Sequence, residues 1–352
     1  MSLLWMDSFD IYGDGATGNT NMLEGVYADI TGIAAISTAQ ARTGANSFRF
    51  AQNVASFRRV FGADKTEVGV GYALYMESLP VAENARNTLA MFQDNAATGC
   101  VSLCVTTTGQ IEVRTGSPTG TVVATSDPVL VTTAWQHVEM RVSIHATTGA
   151  VEVRVNGQTV INASNIDTRG SSTGITSQVR VGFTGAIGGI PPIWYVDDIY
   201  AWDTAGTYNN DFIGDKKVYF IVPNADTAVA DWVPDAGTTG YTQIDEIPPV
   251  STDYIQGNAV ADESEFSMTN LPSDVTNILA LQFYTKMLKT DAGDSNVQVA
   301  VVSGASSANG ADRPLTTNAT VYTDVFEEDP DTSAPWTLSG VDAILSRVTR
   351  TL

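Results

Sequence analysis

Histidine and cysteine are almost missing from this chain of 352 residues, with two of each. His137 and His145 leave little from which to build a catalytic triad or a His-rich metal site. Cys100 and Cys104 stand four apart in Cys-Val-Ser-Leu-Cys. In a strand that spacing puts both thiols on one face about 13 Å apart, beyond disulfide reach. Two thiols alone do not make a zinc site, so both are read as small buried apolar residues. Positive charge is also scarce, with 18 Lys and Arg against 39 Asp and Glu for a net charge of −21. Such a surface repels phosphates, which argues against nucleic acid as a partner. No segment approaches the roughly 18 consecutive apolar residues of a membrane span, so no membrane partner is expected. The start, Met-Ser-Leu-Leu-Trp-Met-Asp, has neither the basic region nor the long apolar core of a signal peptide. Synthesis and folding in a cytoplasm are therefore expected.

What is present points to β structure. Hydrophobic residues make up 43% and charged residues 16%, which excludes disorder, and 30 glycines suit many short strands and turns. The clearest pattern runs from Trp135 to Gly157. Val138, Met140, Val142 and Ile144 alternate with His137, Glu139, Arg141 and Ser143. Val151-Glu-Val-Arg-Val155 repeats the alternation, and Asn156-Gly157 supplies two residues that tolerate positive φ in a hairpin turn. Further strands are predicted at 3–10, 47–51, 68–75, 88–92, 101–106, 111–114, 134–144, 151–155, 158–163, 178–184 and 193–202, with a Gly-rich loop over 13–21. Turn signals every 8 to 15 residues fit a sandwich rather than βαβ units.

A polar stretch after Asp203 reads as a linker over 206–214, dividing residues 1–205 from a β-rich domain over 215–352. The charge divides unevenly too. Residues 207–352 carry 7 basic and 21 acidic side chains, net −14, whereas residues 1–206 are at net −7. In the second part strands are expected at 215–222, at Phe266-Ser-Met268, and over 278–287, 297–302 and 320–326. Pro223-Asn-Ala-Asp226 reads as the start of a loop. Val341, Ile344, Leu345 and Val348 fall on one helical face, so a short helix is predicted over 338–347, capped by Thr337 or Ser339.

The Trp-led strand before Val-Glu-Val-Arg-Val-Asn-Gly, with Trp194-Tyr-Val-Asp-Asp-Ile-Tyr-Ala-Trp-Asp203, resembles the concanavalin A-like (laminin G-like) jelly rolls. The resemblance implies an all-β fold, a jelly-roll sandwich followed by a smaller β-sandwich. It also implies that the last strand of the sandwich returns beside the first. The order YVDDIYAWD…NNDFIGDKKVYFIVPN, with Trp232-Val-Pro234, Asp245-Glu246, Asp253-Tyr-Ile255 and Pro335-Trp336, is similar to structural proteins of tailed bacteriophages. That resemblance implies a non-enzymatic virion component made in a bacterial host: a capsid decoration, head fibre or tail protein. Its partners would be other capsid or tail proteins in a homo-oligomer, by analogy a trimer. The alternative is a carbohydrate-binding module that recognises a host surface glycan.

Site candidates are few. Asp197 and Asp198 are adjacent, and in a regular strand they point to opposite faces, so they should not converge on one substrate as a glycosidase pair does. The Glu-x-Asp-x-x-Glu motif of glycosidases with this fold is absent. Asp7, Asp10 and Asp14, with Asp198 or Asp203 on the closing strand, are candidate ligands of a structural Ca²⁺; solvated loop acids are the alternative reading. No other cofactor is implied. Trp194, Tyr200, Trp202 and Trp232 are candidate glycan-stacking residues. The first three share a parity, so their common face is either the core or a binding platform.

Overall fold

The computed structural model describes residues 2–15, 21–32, 34–51, 55–81, 87–182 and 192–352. Residues 16–20 of the expected Gly-rich loop, and 183–184 of the strand expected over 178–184, lie outside the described residues. The chain folds as two units, Met1–Val218 and Tyr219–Leu352.

The first unit contains two antiparallel sheets. An eight-stranded sheet runs in the order Gln158–Ile166, Gly149–Val155, Trp135–Ser143, Glu67–Met76, Trp194–Asp203, Ser47–Phe50 and Ala34–Ser37, with Leu3–Asp7 also paired to Trp194–Asp203. The last strand thus returns beside the first. A seven-stranded sheet runs Val122–Pro128, Gln110–Thr115, Gly99–Val105, Asn87–Gln93, Thr176–Gly182, Ser56–Lys65 and Asp29–Thr31. Tyr72 reaches from the first sheet to donate to the Leu89 carbonyl of the second, so even-numbered residues of Glu67–Met76 face between the sheets. Phe9, Tyr27, Phe48 and Phe57 pack there with ring centroids 4.7 to 6.3 Å apart, fixing the inter-sheet core by aromatic burial. Asn156 (φ 50°) and Gly157 (φ 78°) form the hairpin turn, as their tolerance of positive φ predicts. Cys100 and Cys104 are free and buried, and burial pushes both thiols up, to about 11 and about 12.

The second unit is also β. Its main sheet has the order Pro223–Ala230, Glu263–Met268, Leu345–Arg350, Asn296–Ser303 and Ser306–Asn309, with Arg313–Pro314 on the edge. A ribbon of Leu281–Met287 and Thr320–Phe326 accompanies it, and Ile278, Leu281, Val301, Phe326, Trp336, Val341 and Ile344 form the core.

Three local expectations change. The helix predicted over 338–347 is a single turn, Leu338–Val341, whose cap is Thr337 Oγ1 accepting from Gly340 N at 3.0 Å. Leu345–Arg350 is instead a central strand paired on both sides. Two hydrogen-bond ladders outweigh an apolar period that a short segment shares with strand patterns. The segment 215–222, expected as a strand, lies outside any sheet, and the expected loop at 223 begins the strand Pro223–Ala230. Residues 206–214 are not a free linker but belong to the first unit, for reasons that lie on its outer face.

Candidate functional site

The site is built by one irregularity in the strand Trp194–Asp203. Pairing with Glu67–Met76 runs Trp194↔Met76 to Asp197↔Ala73, then resumes at Tyr200↔Gly71. Two residues, Asp198 and Ile199, therefore oppose the single residue Tyr72, which is a β-bulge, and Asp198 has φ 50°. The bulge reverses parity. Trp194 and Val196 point between the sheets, whereas Tyr195 and Asp197 before it, and Tyr200 and Trp202 after it, point to the outer face.

This overturns two expectations. Trp194 does not share a face with Tyr200 and Trp202. Nor do Asp197 and Asp198 diverge, because both carboxylates turn onto the Arg42–Thr43 segment. Asp197 Oδ2 accepts the backbone N–H of Arg42 at 2.7 Å and of Thr43 at 3.1 Å. Asp198 Oδ2 accepts from Arg42 Nη1 at 2.7 Å and Thr43 Oγ1 at 2.9 Å, and its Oδ1 accepts Val218 N at 2.8 Å. Both acids are fully buried. Burial first, then the adjacent Asp198 carboxylate, push Asp197 up to about 8. Burial also raises Asp198, against hydrogen bonding from Val218 N and the Arg42 charge.

Two glycines make room for the rest. A Cβ on Gly69 would lie 2.2 Å from the Trp202 ring, and one on Gly71 would lie 2.5 Å from Tyr200. Over that floor Tyr200 Oη stands 3.0 Å from His137 Nε2, 2.8 Å from Glu139 Oε1 and 2.7 Å from the Gly214 carbonyl. The hydroxyl has one proton, so it donates to one of the two acceptors while accepting from the Nε2–H tautomer of His137. Burial holds His137 down at about 4, with Asp215 opposing and Arg42 adding to the shift. Burial raises Glu139 despite the N–H groups aimed at it.

Residues 211–218 roof this face as a strap. Ile213 N and Gly214 N donate to Glu139 Oε1 at 3.0 and 2.9 Å. Asp211 pairs with Arg141 at 2.7 Å and Asp215 with Arg42 at 2.5 Å. The Phe212 ring lies 3.7 Å from the Arg154 guanidinium and 5.8 Å from Trp202. These contacts explain why 206–214 does not behave as a linker. Beneath the strap, His137 Nδ1, Glu139 Oε2 and Trp202 Nε1 are buried without a hydrogen-bond partner.

The remaining candidates separate. Trp194, Tyr200 and Trp202 are 1%, 3% and 0% exposed, so none offers a stacking face. Trp232, in the second unit, is half-buried, its ring against Gly257 and its Nε1 donating to the Asp262 carbonyl. The expected Ca²⁺ ligands are each taken by different protein donors. Asp7 accepts from Tyr12, Tyr27 and Phe9 N, Asp10 from Ala45 N and Asn46 N, and Asp14 from Thr38 N. Asp203 pairs with Lys65. Among the described residues no three His, Cys, Asp or Glu side chains are grouped to hold a metal. The donor set does not fit Ca²⁺, because an ion needs several of these oxygens at once. Burial raises Asp7 to about 6, against the hydrogen bonds from Tyr27, Phe9 N and Tyr12 that favour its charged form. His145 caps its turn, accepting Thr147 N and Thr148 N on Nδ1.

Sequence reasoning missed Arg42, Glu139 and Phe212. A signal was available in Val68-Gly-Val-Gly-Tyr72, where alternate glycines mark large side chains from a neighbouring strand lying across them.

No family model and no curated protein matches the chain. Among solved structures, alginate lyase Aly36B aligns at 13% identity and TM-score 0.39 over 56% of this chain and 95% of its own. Domain 4 of AbnA, an extracellular arabinanase from Geobacillus stearothermophilus, aligns at 16% identity and TM-score 0.37 over 57% of this chain and 92% of its own. Trypanosoma rangeli sialidase aligns at 14% identity and TM-score 0.35, over 54% of this chain and 30% of its own. Likeness at this level says nothing about chemistry.

Proposed function

We propose that this chain is a non-enzymatic structural component of a tailed-phage virion, a capsid decoration, head fibre or tail protein acting through symmetric homo-oligomeric assembly and display. One observation carries the reading. The two segments with the virion resemblance, Tyr195-Val-Asp-Asp-Ile-Tyr200 and Asp211-Phe-Ile-Gly-Asp215, are the two halves of one closed lock. Their acids and aromatics are consumed in holding the chain together, which is what a rigid assembly part needs. His137, Tyr200, Glu139, Asp197 and Asp198 lie beneath that lock, away from any substrate. Mass spectrometry of separated heads and tails tests the proposal. Absence of the chain from both would refute it, and so would reproducible release of reducing ends from bacterial polysaccharide by the purified protein.

A glycan-binding role is the second reading. It rests on Trp135 and Tyr75, two half-buried rings 5.6 Å apart on the same outer face beyond the strap. Aromatic faces of that kind stack on sugars. Binding of a host glycan that Trp135→Ala abolishes would support it; binding unchanged by that substitution would remove it.

A further inference from the structure

We infer that residues 231–262, in the second unit, form a docking surface for another protein, one apolar at the centre of its contact face and basic around it. The inference goes beyond the virion reading and does not depend on it. Three observations carry it.

First, this segment keeps its apolar side chains outside. Only Gly240 of its 32 residues is buried. Val233, Ile247, Val250, Tyr254 and Val260 are 43% to 60% exposed. These are five of the eleven large hydrophobic side chains exposed among the described residues. Gathered into one short segment they mark an interaction site, where singly scattered ones do not.

Second, the segment is held in shape. Val233–Pro234 pairs with Ile255–Gln256, and Asp235 N donates to the Tyr254 carbonyl at 2.9 Å. Asp226 accepts Gly240 N and Tyr241 N at 2.8 and 2.7 Å. Trp232 Nε1 donates to the Asp262 carbonyl, and Arg350 to that of Gly257. A surface ordered in advance loses less conformational entropy when a partner covers it. Its size also fits, since a standard interface takes about 20–30 residues from each side.

Third, charge names the occupant. The segment carries Asp231, Asp235, Asp245, Glu246, Asp253 and Asp262, and no Lys, Arg or His. Asp231 and Asp262 are engaged by backbone N–H groups. The other four stand beside exposed apolar residues, in Val233-Pro-Asp235, Asp245-Glu-Ile247 and Asp253-Tyr254. The Tyr254 hydroxyl also donates to Asp235. Burial raises the Glu246 carboxyl, and the Asp245 and Asp253 charges add to the shift, a repulsion that an incoming cation relieves. Nucleic acid and anionic lipid are repelled by such a surface. A second copy, at net −21, is a poor source of cations. The arginines of its second unit, Arg313, Arg347 and Arg350, are already engaged by Asp324, Glu265 and the Gly257 carbonyl.

The probe is a labelled alternating Leu/Lys peptide, titrated with the full chain by fluorescence anisotropy. A Ser/Lys peptide of equal charge and a Leu/Glu peptide are the controls. The Leu/Lys peptide should bind at least tenfold more tightly than either control. Ile247→Ser with Tyr254→Ser should weaken that binding tenfold, and so should Asp245→Asn with Glu246→Gln. Neutralising two exposed acids of the first unit, Asp64→Asn with Asp127→Asn, should leave it unchanged. Equal affinity for the Leu/Lys and Ser/Lys peptides, or equal losses from the two acid pairs, overturns the inference. In purified virions, zero-length carbodiimide coupling should join Asp245, Glu246 or Asp253 to lysines of a different protein. Links only to another copy of this chain, or none at these acids, overturn the basic partner and leave the virion reading standing. Absence of the chain from virions refutes that reading alone, and the peptide titration still decides the docking surface.

Discussion

Arg42 is where the buried acids of the outer face find their compensation. Its guanidinium meets Asp198 at 2.7 Å and Asp215 at 2.5 Å, and its backbone N–H meets Asp197. Replacing it with Met would leave Asp198, 0% exposed, as an uncompensated charge, which costs roughly 3–5 kcal/mol. Adding Asp198→Asn should recover much of that loss, and urea denaturation of the two single variants and the double variant measures the coupling. Asp197 gives a pH signature. A carboxyl raised from 3.8 to about 8 in the folded chain contributes stability that is present at low pH and lost as pH rises towards 8. His137, held down at about 4, works the other way up to its ordinary value near 6.5. Above pH 6.5 His137 no longer opposes it, and the other carboxyls raised by burial, Asp198 and Glu139 among them, act in the same direction as Asp197. The folded protein should lose on the order of 1 kcal/mol per pH unit between about 6.5 and 8, and Asp197→Asn should flatten that slope in denaturation midpoints.

At the scale of elements, the strap and the strand beneath it depend on fitted shapes. Gly71→Ala would drive a methyl group into the Tyr200 ring, and overpacking of this kind costs about 1–3 kcal/mol. Phe212→Ala removes the ring between Arg154 and Trp202. It should loosen the strap by about 1–2 kcal/mol and open Asp211–Val218 to proteases while the sheets stay resistant, as peptide mapping would show. The same elements mark how far the sequence could be read. Strands such as Trp135–Ser143 alternate strictly, and their face assignment holds along the whole length. Trp194–Asp203 looks just as regular, but an αL residue at Asp198 breaks the period of two; Asp tolerates αL better than most residues, yet nothing local distinguishes Asp198 from the adjacent Asp197 or from a regular strand residue. The paired acids and the aromatics around it were misplaced for that single reason. The strap was illegible for another: Tyr200 and Asp198 lie 14 and 20 residues away but Arg141, Glu139 and Arg42 lie 70 to 174 away, and nothing local in a polar, Gly-containing stretch announces a receptor for it.

At the scale of the whole molecule, the first unit ends at Val218, and a fragment has to end there as well. Residues 1–218 should fold with a cooperative thermal transition. Residues 1–205 should be less stable and bind hydrophobic dyes, because Trp202 and Tyr200 lose their cover; equal melting temperatures for the two fragments would contradict the strap's role. The strap also has a mechanical meaning. Tension reaching the sandwich from residue 219 onward must pass through Val218 first. It would therefore break the Val218–Asp198, Asp215–Arg42, Gly214–Glu139 and Phe212–Arg154 contacts one after another before loading any strand ladder. Each is short-ranged and re-formable, and paying out 211–218 would lengthen the tether by roughly 25–30 Å. The strap is thus placed to act as a resettable fuse, yielding at modest force while the sheets behind it remain folded.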